Sequence, residues 1–229
     1  MGEIIRGKIV KVDEDQMYIV APMVDADRFM IRRYDEVLVE LADGRSISPE
    51  QRRKAHAIIG EIADWQGDIP EALKRITKLE FIVSNMNSLA KKMFSLADCD
   101  MTTAREFISY LVDFVLRWDV PTHVSLRELC DDIEHYVYAC LMNRKCAVCQ
   151  KKRADLHHWV AIGMGRDRTE VAQIGWPVIS LCREHHGKAH SEGRSWLEDD
   201  IHLVPIPMDE KIAKVYKISK KAQRPIEER

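Results

Sequence analysis

The sequence predicts an α+β protein in two parts: a small sheet followed by helices over residues 1–142, and a unit rich in metal-ligating side chains over residues 143–229. Three observations lead there. β-Branched alternation is confined to the first forty residues, and capped amphipathic helices fill the middle. A 45-residue window from Cys146 to His190 then holds three of the six cysteines and five of the nine histidines. With 229 residues, 46% of them hydrophobic, the chain is long enough to bury a core. Ten glycines, eight prolines and no apolar run near the roughly 18 residues of a membrane span exclude collagen-like, low-complexity and spanning classes. The start, MGEIIRGKIVKV, carries no export signal, so a cytoplasmic, reducing location is expected. There cysteines are small buried hydrophobes or metal ligands, not disulfides.

EIIRGKIVKV, MYIVAPM and EVLVELADG alternate as strands between Asp/Gly turns. Ser48-Pro49-Glu50-Gln51 is a helix start with a capping box, followed by Ala55, Ile58, Ile59, Ile62 and Trp65 and closed by Gly67. Asp68 with Glu71 marks a second start, with Ala72, Ile76 and Leu79 as its apolar face. A third helix opens at Thr103 and carries Phe107, Leu111, Phe114 and Trp118 until Pro121. A fourth runs from Ser125 through Leu126, Leu129, Ile133, Tyr136, Val137 and Cys140, which makes Cys130 and Cys140 core residues. The boundary is placed near residue 143. Beyond it, Lys211, Lys214, Lys217, Lys220, Lys221 and Arg224 give a C-terminal helix a basic side, either solvated or a phosphate rail.

Residues 143–229 hold 17 Lys+Arg against 12 Asp+Glu, whereas residues 1–142 hold 18 against 25. The basic half is the one with the metal-type residues, which suits a polyanionic partner. Its ligands separate by spacing. Cys146-x-x-Cys149 and Cys182-x-x-His185 complete a closed Cys₃His zinc site, a structural arrangement. His186 and His190, at i and i+4, project from one helical face one turn apart. One of His157 and His158, on a short strand from Ala154 to Trp159, completes a three-histidine site while the other stays free. Three ligands with an open position are a catalytic arrangement.

Cys146 and Cys149, the triplet Leu156-His157-His158 and the block Leu181-Cys182-Arg183-Glu184-His185-His186 followed by His190 resemble an HNH endonuclease of the ββα-metal class in its zinc-stabilised form. The resemblance implies a ββα-metal fold, with His157, His186 and His190 as ligands of the catalytic ion and His158 as general base. A neutral imidazole, titrating near pH 6.5, suits proton removal from water. The ion is expected to be zinc, nickel, manganese or magnesium, with an all-histidine set favouring a transition metal over magnesium. The family's central asparagine falls at Pro177 here, and Gln173 and the backbone near Gly175 are candidates to replace it. The loop holding Arg166 and Arg168, together with Arg183 and Lys188, is expected to meet phosphates.

The segments SISPEQRRKAHAIIGEIADWQG and FSLADCDMTTAREFISYLVDFVLRWDVP are similar to phage lambda NinB (Orf)-type recombination proteins. That resemblance implies DNA binding, a phage or prophage setting in a bacterial host and other phage recombination proteins as partners. The expectation is thus a metal-dependent DNA endonuclease acting on single-stranded, duplex or branched DNA, with no membrane partner. Helix 104–118 carries enough apolar surface either for a homodimer or for the core. Two competing readings are a non-catalytic, zinc-stabilised recombination mediator and a zinc-finger adaptor for protein partners.

Overall fold

The computed structural model describes residues 7–23, 31, 45–84, 93–160, 171–219 and 222. Strands β1 (Lys8–Val12) and β2 (Met17–Val20) pair as an antiparallel hairpin with a register shift between Ile9 and Lys11, and both are exposed along their length. The third expected strand, EVLVELADG, lies outside the described residues. Helices α1 (Pro49–Gln66), α2 (Pro70–Ser84), α3 (Met101–Trp118), α4 (Leu126–Leu129) and α5 (Ile133–Met142) follow. A three-stranded antiparallel sheet of order β3-β4-β5 is built from β3 (Asp155–His158), β4 (Pro177–Leu181) and β5 (Ile206–Pro207). Helices α6 (Arg183–Ser191) and α7 (Ser195–Asp199) lie between β4 and β5, and α8 (Glu210–Val215) follows. The mixture of helices with a small sheet is the α+β class that the sequence predicts.

Helix α1 opens with the capping box read from the sequence: the Ser48 hydroxyl accepts from Gln51 N at 3.0 Å, and Gln51 Oε1 accepts from Ser48 N at 3.1 Å. Gly67 closes it in the left-handed conformation, φ 72°. Ala55, Ile58, Ile59 and Ile62 are buried, while Trp65 at the helix end is exposed. Helix α1 packs against α3, whose Phe107, Ile108, Leu111, Val112, Val115 and Leu116 are all buried. These six residues of α3 belong to the core, whereas Trp118, expected on the same face, is exposed. Asp100, not Thr103, caps α3, accepting from Thr103 N at 2.8 Å. One hydrophobic cluster runs from Ile47 through α5 and the sheet to Ala213.

Helix α2 turns a different face inward from the one expected. Ala72, Ile76 and Leu79 are exposed, and Leu73, Thr77, Lys78 and Phe81 are buried. Apolar residues stand on both sides of this helix, so spacing alone does not choose between them. Aromatic packing chooses: the Phe81 ring meets Phe107 at 5.5 Å, Tyr110 at 5.7 Å and Phe94 at 5.9 Å. Thr77 and Lys78 are tolerated there because their polar atoms are met. Thr77 Oγ1 donates to Leu73 O at 2.9 Å, and Lys78 Nζ donates to Phe94 O at 3.1 Å.

The single helix expected from Ser125 to Cys140 is broken into α4 and α5. Cys130 is extended (φ −72°, ψ 154°), Asp131 is drawn to Gln51 Nε2 at 2.7 Å, and Asp132 caps α5 by accepting from His135 N at 2.9 Å. Two adjacent acidic side chains with different partners thus interrupt one apolar stripe. Cys130 and Cys140 are buried, as expected. The C-terminal helix also ends early. Lys211 and Lys214 lie on α8, Lys217 lies past its end at φ 54°, and Lys220, Lys221 and Arg224 are outside the described residues.

Replacing Leu73 by Ala should cost about 2–5 kcal/mol in urea unfolding, whereas Ile76→Ala should stay within about 0.5 kcal/mol; equal costs would mean the other face is buried. His135 Nε2 lies 3.1 Å from Asp113 Oδ1, and that hydrogen bond raises the imidazole above its usual value despite burial. A raised folded-state value stabilises the fold below about pH 6.5, and the gain disappears as pH rises through the raised value. Unfolding free energies should fall over that interval in wild type and less so in His135→Asn.

Candidate metal centres

Seven candidate ligands on the knuckle after α5, on β3 and at or on α6 form two clusters. The first begins where α5 ends: Lys145 bridges to Lys152, Cys146 N donates to Lys151 O at 3.0 Å, and Gln150 N donates to Cys146 O at 2.8 Å with Gln150 left-handed at φ 59°. This knuckle is pinned on two sides. Ala147 N donates to Ser180 O at 2.9 Å, Ser180 Oγ donates to Lys145 O at 2.6 Å, and the buried Tyr136 hydroxyl donates to Ala147 O at 2.9 Å. Opposite the knuckle, Cys182 is the N-cap of α6 and His185 lies in its first turn.

Cys149 Sγ is 3.8 Å from Cys182 Sγ, and His185 Nδ1 is 3.2 Å from Cys182 Sγ and 3.4 Å from Cys146 Sγ. Tetrahedral zinc, with bonds of about 2.3 Å to sulfur and 2.0–2.1 Å to nitrogen, separates two sulfurs by about 3.8 Å and a sulfur from a nitrogen by about 3.6 Å. The donor set fits a closed Cys₃His site, and all four ligand atoms lie within 4.8 Å of one another. Burial pushes the Cys146 thiol up to about 12. Burial also opposes ionisation of Cys182, but the backbone N–H of His185 and the neighbouring thiols outweigh it and hold that thiol below its usual value.

The second cluster depends on strand register. β3 pairs with β4 so that His157 faces Ile179 and His158 faces Val178, and residues two apart on a strand share a side. His157 is buried, its ring 4.8 Å from that of His186 and 5.1 Å from that of His190; the latter two rings stack at 5.0 Å. Their ligand nitrogens all lie within 4.8 Å of one another. Neither nitrogen of His157 has a hydrogen-bond partner. Burial, followed by the neighbouring His186 and His190, lowers His157 to about 4. Burial and His190 also lower His186, with Asp155 opposing. Two imidazoles held neutral, one with both nitrogens buried and unpaired, are what a divalent cation would satisfy. Helix α6 starts at Arg183, which places Cys182 and His185 at its first turn and leaves His186 and His190 one turn apart.

His158 is half-buried away from this cluster. Its Nε2 lies 3.0 Å from Gln173 Oε1, and its ring lies 6.1 Å from that of Trp176. Gln173 is buried, its N–H donates to Ala222 O, and its carbonyl accepts from Trp176 N. An amide oxygen only accepts, so in this pair Nε2 is the donor. Pro177 heads β4, where its carbonyl accepts from Trp159 N at 2.8 Å. Gly175 is left-handed at φ 92° and donates its N–H to Met208 O.

Among the expected phosphate contacts, Arg183 and Lys188 lie on α6. Arg183 Nε is 2.8 Å from Asp155 Oδ2 without hydrogen-bond alignment, its side chain otherwise exposed, and Lys188 Nζ lies 4.2 Å over the Trp196 ring. Arg166 and Arg168 fall outside the described residues. Asp155 was missed by sequence reasoning. It lies 4.0 Å from His186 Nδ1, and its position two residues before His157 on the same strand was the available signal.

Replacing Cys149 by Ser should remove one equivalent of tightly bound zinc from the purified protein and lower its melting temperature, as read by elemental analysis and calorimetry. The same change should leave the three-histidine cluster able to take a second ion; wild type lacking the tight zinc would overturn the assignment.

No curated protein and no solved structure matches the chain. One family model does, over residues 28–219, and it is described as "Putative HNHc nuclease". The match takes in α1 through α8 and both ligand clusters. The chain belongs to the HNHc nuclease family.

Proposed function

We propose that the protein is a metal-dependent DNA endonuclease in which His158 is the general base. His157, His186 and His190 hold the catalytic cation, and Cys146, Cys149, Cys182 and His185 hold a structural zinc. The observation that carries this reading is the buried His157 ring, both nitrogens unpaired, facing two further imidazoles on α6. Three imidazoles suit zinc or nickel better than magnesium, which prefers oxygen ligands. A cation so held supplies positive charge beside a phosphodiester, offsetting the charge that develops on it during hydrolysis.

The chain's own residues do the rest. Gln173 Oε1, 3.0 Å from His158 Nε2, orients the ring, and in this reading the imidazole takes a proton from the attacking water. Gln173 is itself fixed by backbone hydrogen bonds to Ala222 and Trp176, so the base does not rotate freely. The amide thus does the orienting work that the family's asparagine would do from the position of Pro177. Arg183 and Lys188 on α6 are positioned to meet flanking phosphates. A recombination or replication setting in a phage or prophage is the context suggested by the NinB-like helices.

Pro177 favours one competing reading, a zinc-stabilised DNA-binding recombination mediator that does not cut. Plasmid relaxation separates the two. Metal-stripped protein supplied with manganese, nickel, zinc or magnesium should nick supercoiled DNA. His158→Ala should lose at least about 100-fold of the rate while retaining zinc. Gln173→Ala should lose less, mainly in kcat, with DNA affinity kept. Binding without cleavage of plasmid, single strand or junction under every metal would establish the mediator instead.

A further inference from the structure

Beside the knuckle, on the side of α3, lies a cleft of ≈ 240 Å³ lined by Arg117, Arg144, Lys145, Lys152, Arg153 and Asp119, with apolar and amide groups completing it. Five cations thus surround one carboxylate. That carboxylate is already engaged, since both Lys145 and Lys152 pair with Asp119. Lys145 is buried at the base, while Arg117, Arg144 and Arg153 are exposed at the rim. None of these three arginines has a carboxylate partner among the described residues, and Arg144 instead lies 5.2 Å over the Tyr216 ring. Gathering like charges in this way costs electrostatic energy that a bound anion would remove.

The backbone adds a second, independent observation. Asp119, Arg144 and Arg153 are left-handed at φ 57°, 50° and 60°, three of the six such non-glycine residues described. That conformation is disfavoured for residues with a Cβ, and such residues cluster where side chains must be aimed. Asp119 is the left-handed C-cap of α3 and Arg144 follows the C-cap of α5, so two helix ends and the strand leading to β3 bring these residues to one cleft. Arg153 stands four residues before His157, so an anion held here is close along the chain to the histidine cluster.

We infer that this cleft docks a backbone phosphate of bound DNA. The inference rests on the nuclease reading for its choice of polyanion, but not on catalysis. Guanidinium forks match phosphate oxygens two at a time, and an exposed rim suits a continuous strand better than an enclosed free phosphate. Glu184, which pairs with Lys151 at 3.1 Å, does not line the cleft. The cleft is separate from the contacts proposed for Arg183 and Lys188 on α6.

The test is fluorescence anisotropy of a labelled duplex across a salt series, with protein carrying His158→Ala so that the duplex stays intact. In that background Arg117→Ala, Arg144→Ala and Arg153→Ala together should weaken binding about tenfold or more at low salt and flatten the salt slope by about one or more. Arg117→Gln alone, on a regular helix, should give a smaller loss in the same direction, so the result does not hang on a misfolded triple variant. Removing Lys211, Lys214 and Lys217 instead subtracts equal charge elsewhere and should have a clearly smaller effect. Equal losses in the two sets would mean a general field rather than a docking site. Unchanged binding in folded, zinc-retaining variants, or equal displacement of duplex by inorganic phosphate at matched ionic strength, would also overturn the inference. Cleavage by wild type is scored separately: arginine-dependent binding without nicking removes the nuclease and leaves the cleft, and nicking with arginine-independent binding does the reverse.

Discussion

In the antiparallel pairing of β3 with β4, His157 stands opposite Ile179 and His158 opposite Val178, and this register decides which imidazole joins the cluster on α6. Because side chains alternate along a strand, a slip of one residue would exchange the two histidines. It would bring His158 into the apolar interior and put His157 beside Gln173. β4 is covered on both faces, Ile179 and Leu181 on one and Val178 on the other, and that packing holds the register against the slip. The knuckle adds a second restraint through Ser180, whose backbone and hydroxyl both bind it.

Helix α6 then divides its side chains between two centres. His185 and His186 are neighbours in sequence but are turned about 100° apart on a helix, so one meets the knuckle thiols and the other meets His157 and His190. Filling the Cys₃His set would fix the start of α6 against β4. The angle at which His186 and His190 approach β3 would be fixed with it. The two candidate ligand sets are thereby coupled through the nine residues of α6.

Both ligand clusters were legible in sequence because their chemistry is carried by rare residue types at short spacing: Cys-x-x-Cys, Cys-x-x-His and a histidine pair one turn apart. The capping box at Ser48 and the glycine stop at Gly67 were legible for the same local reason. The inward face of α2 was not, since Ile76 and Leu79 match Leu73 and Phe81 in hydrophobicity and only contact with Phe94 and Phe107 separates them. Nor was the break at Cys130, which depends on Gln51, some eighty residues earlier, reaching Asp131. Asp155 is legible only through strand parity with His157, and the cleft at Asp119 has no local motif, because its lining comes from separate stretches of chain.

The Tyr136 hydroxyl, donating to Ala147 O from within the α5 core, ties the metal-bearing unit to the helices by more than a peptide link. Severing the chain between Met142 and Asn143 would take that phenol from the carbonyl it serves and uncover Tyr136, Val137 and Leu141, all now fully buried. The unit is consequently a poor candidate for transplantation. A graft onto another scaffold would have to carry α5 with it, or supply a replacement floor beneath the knuckle.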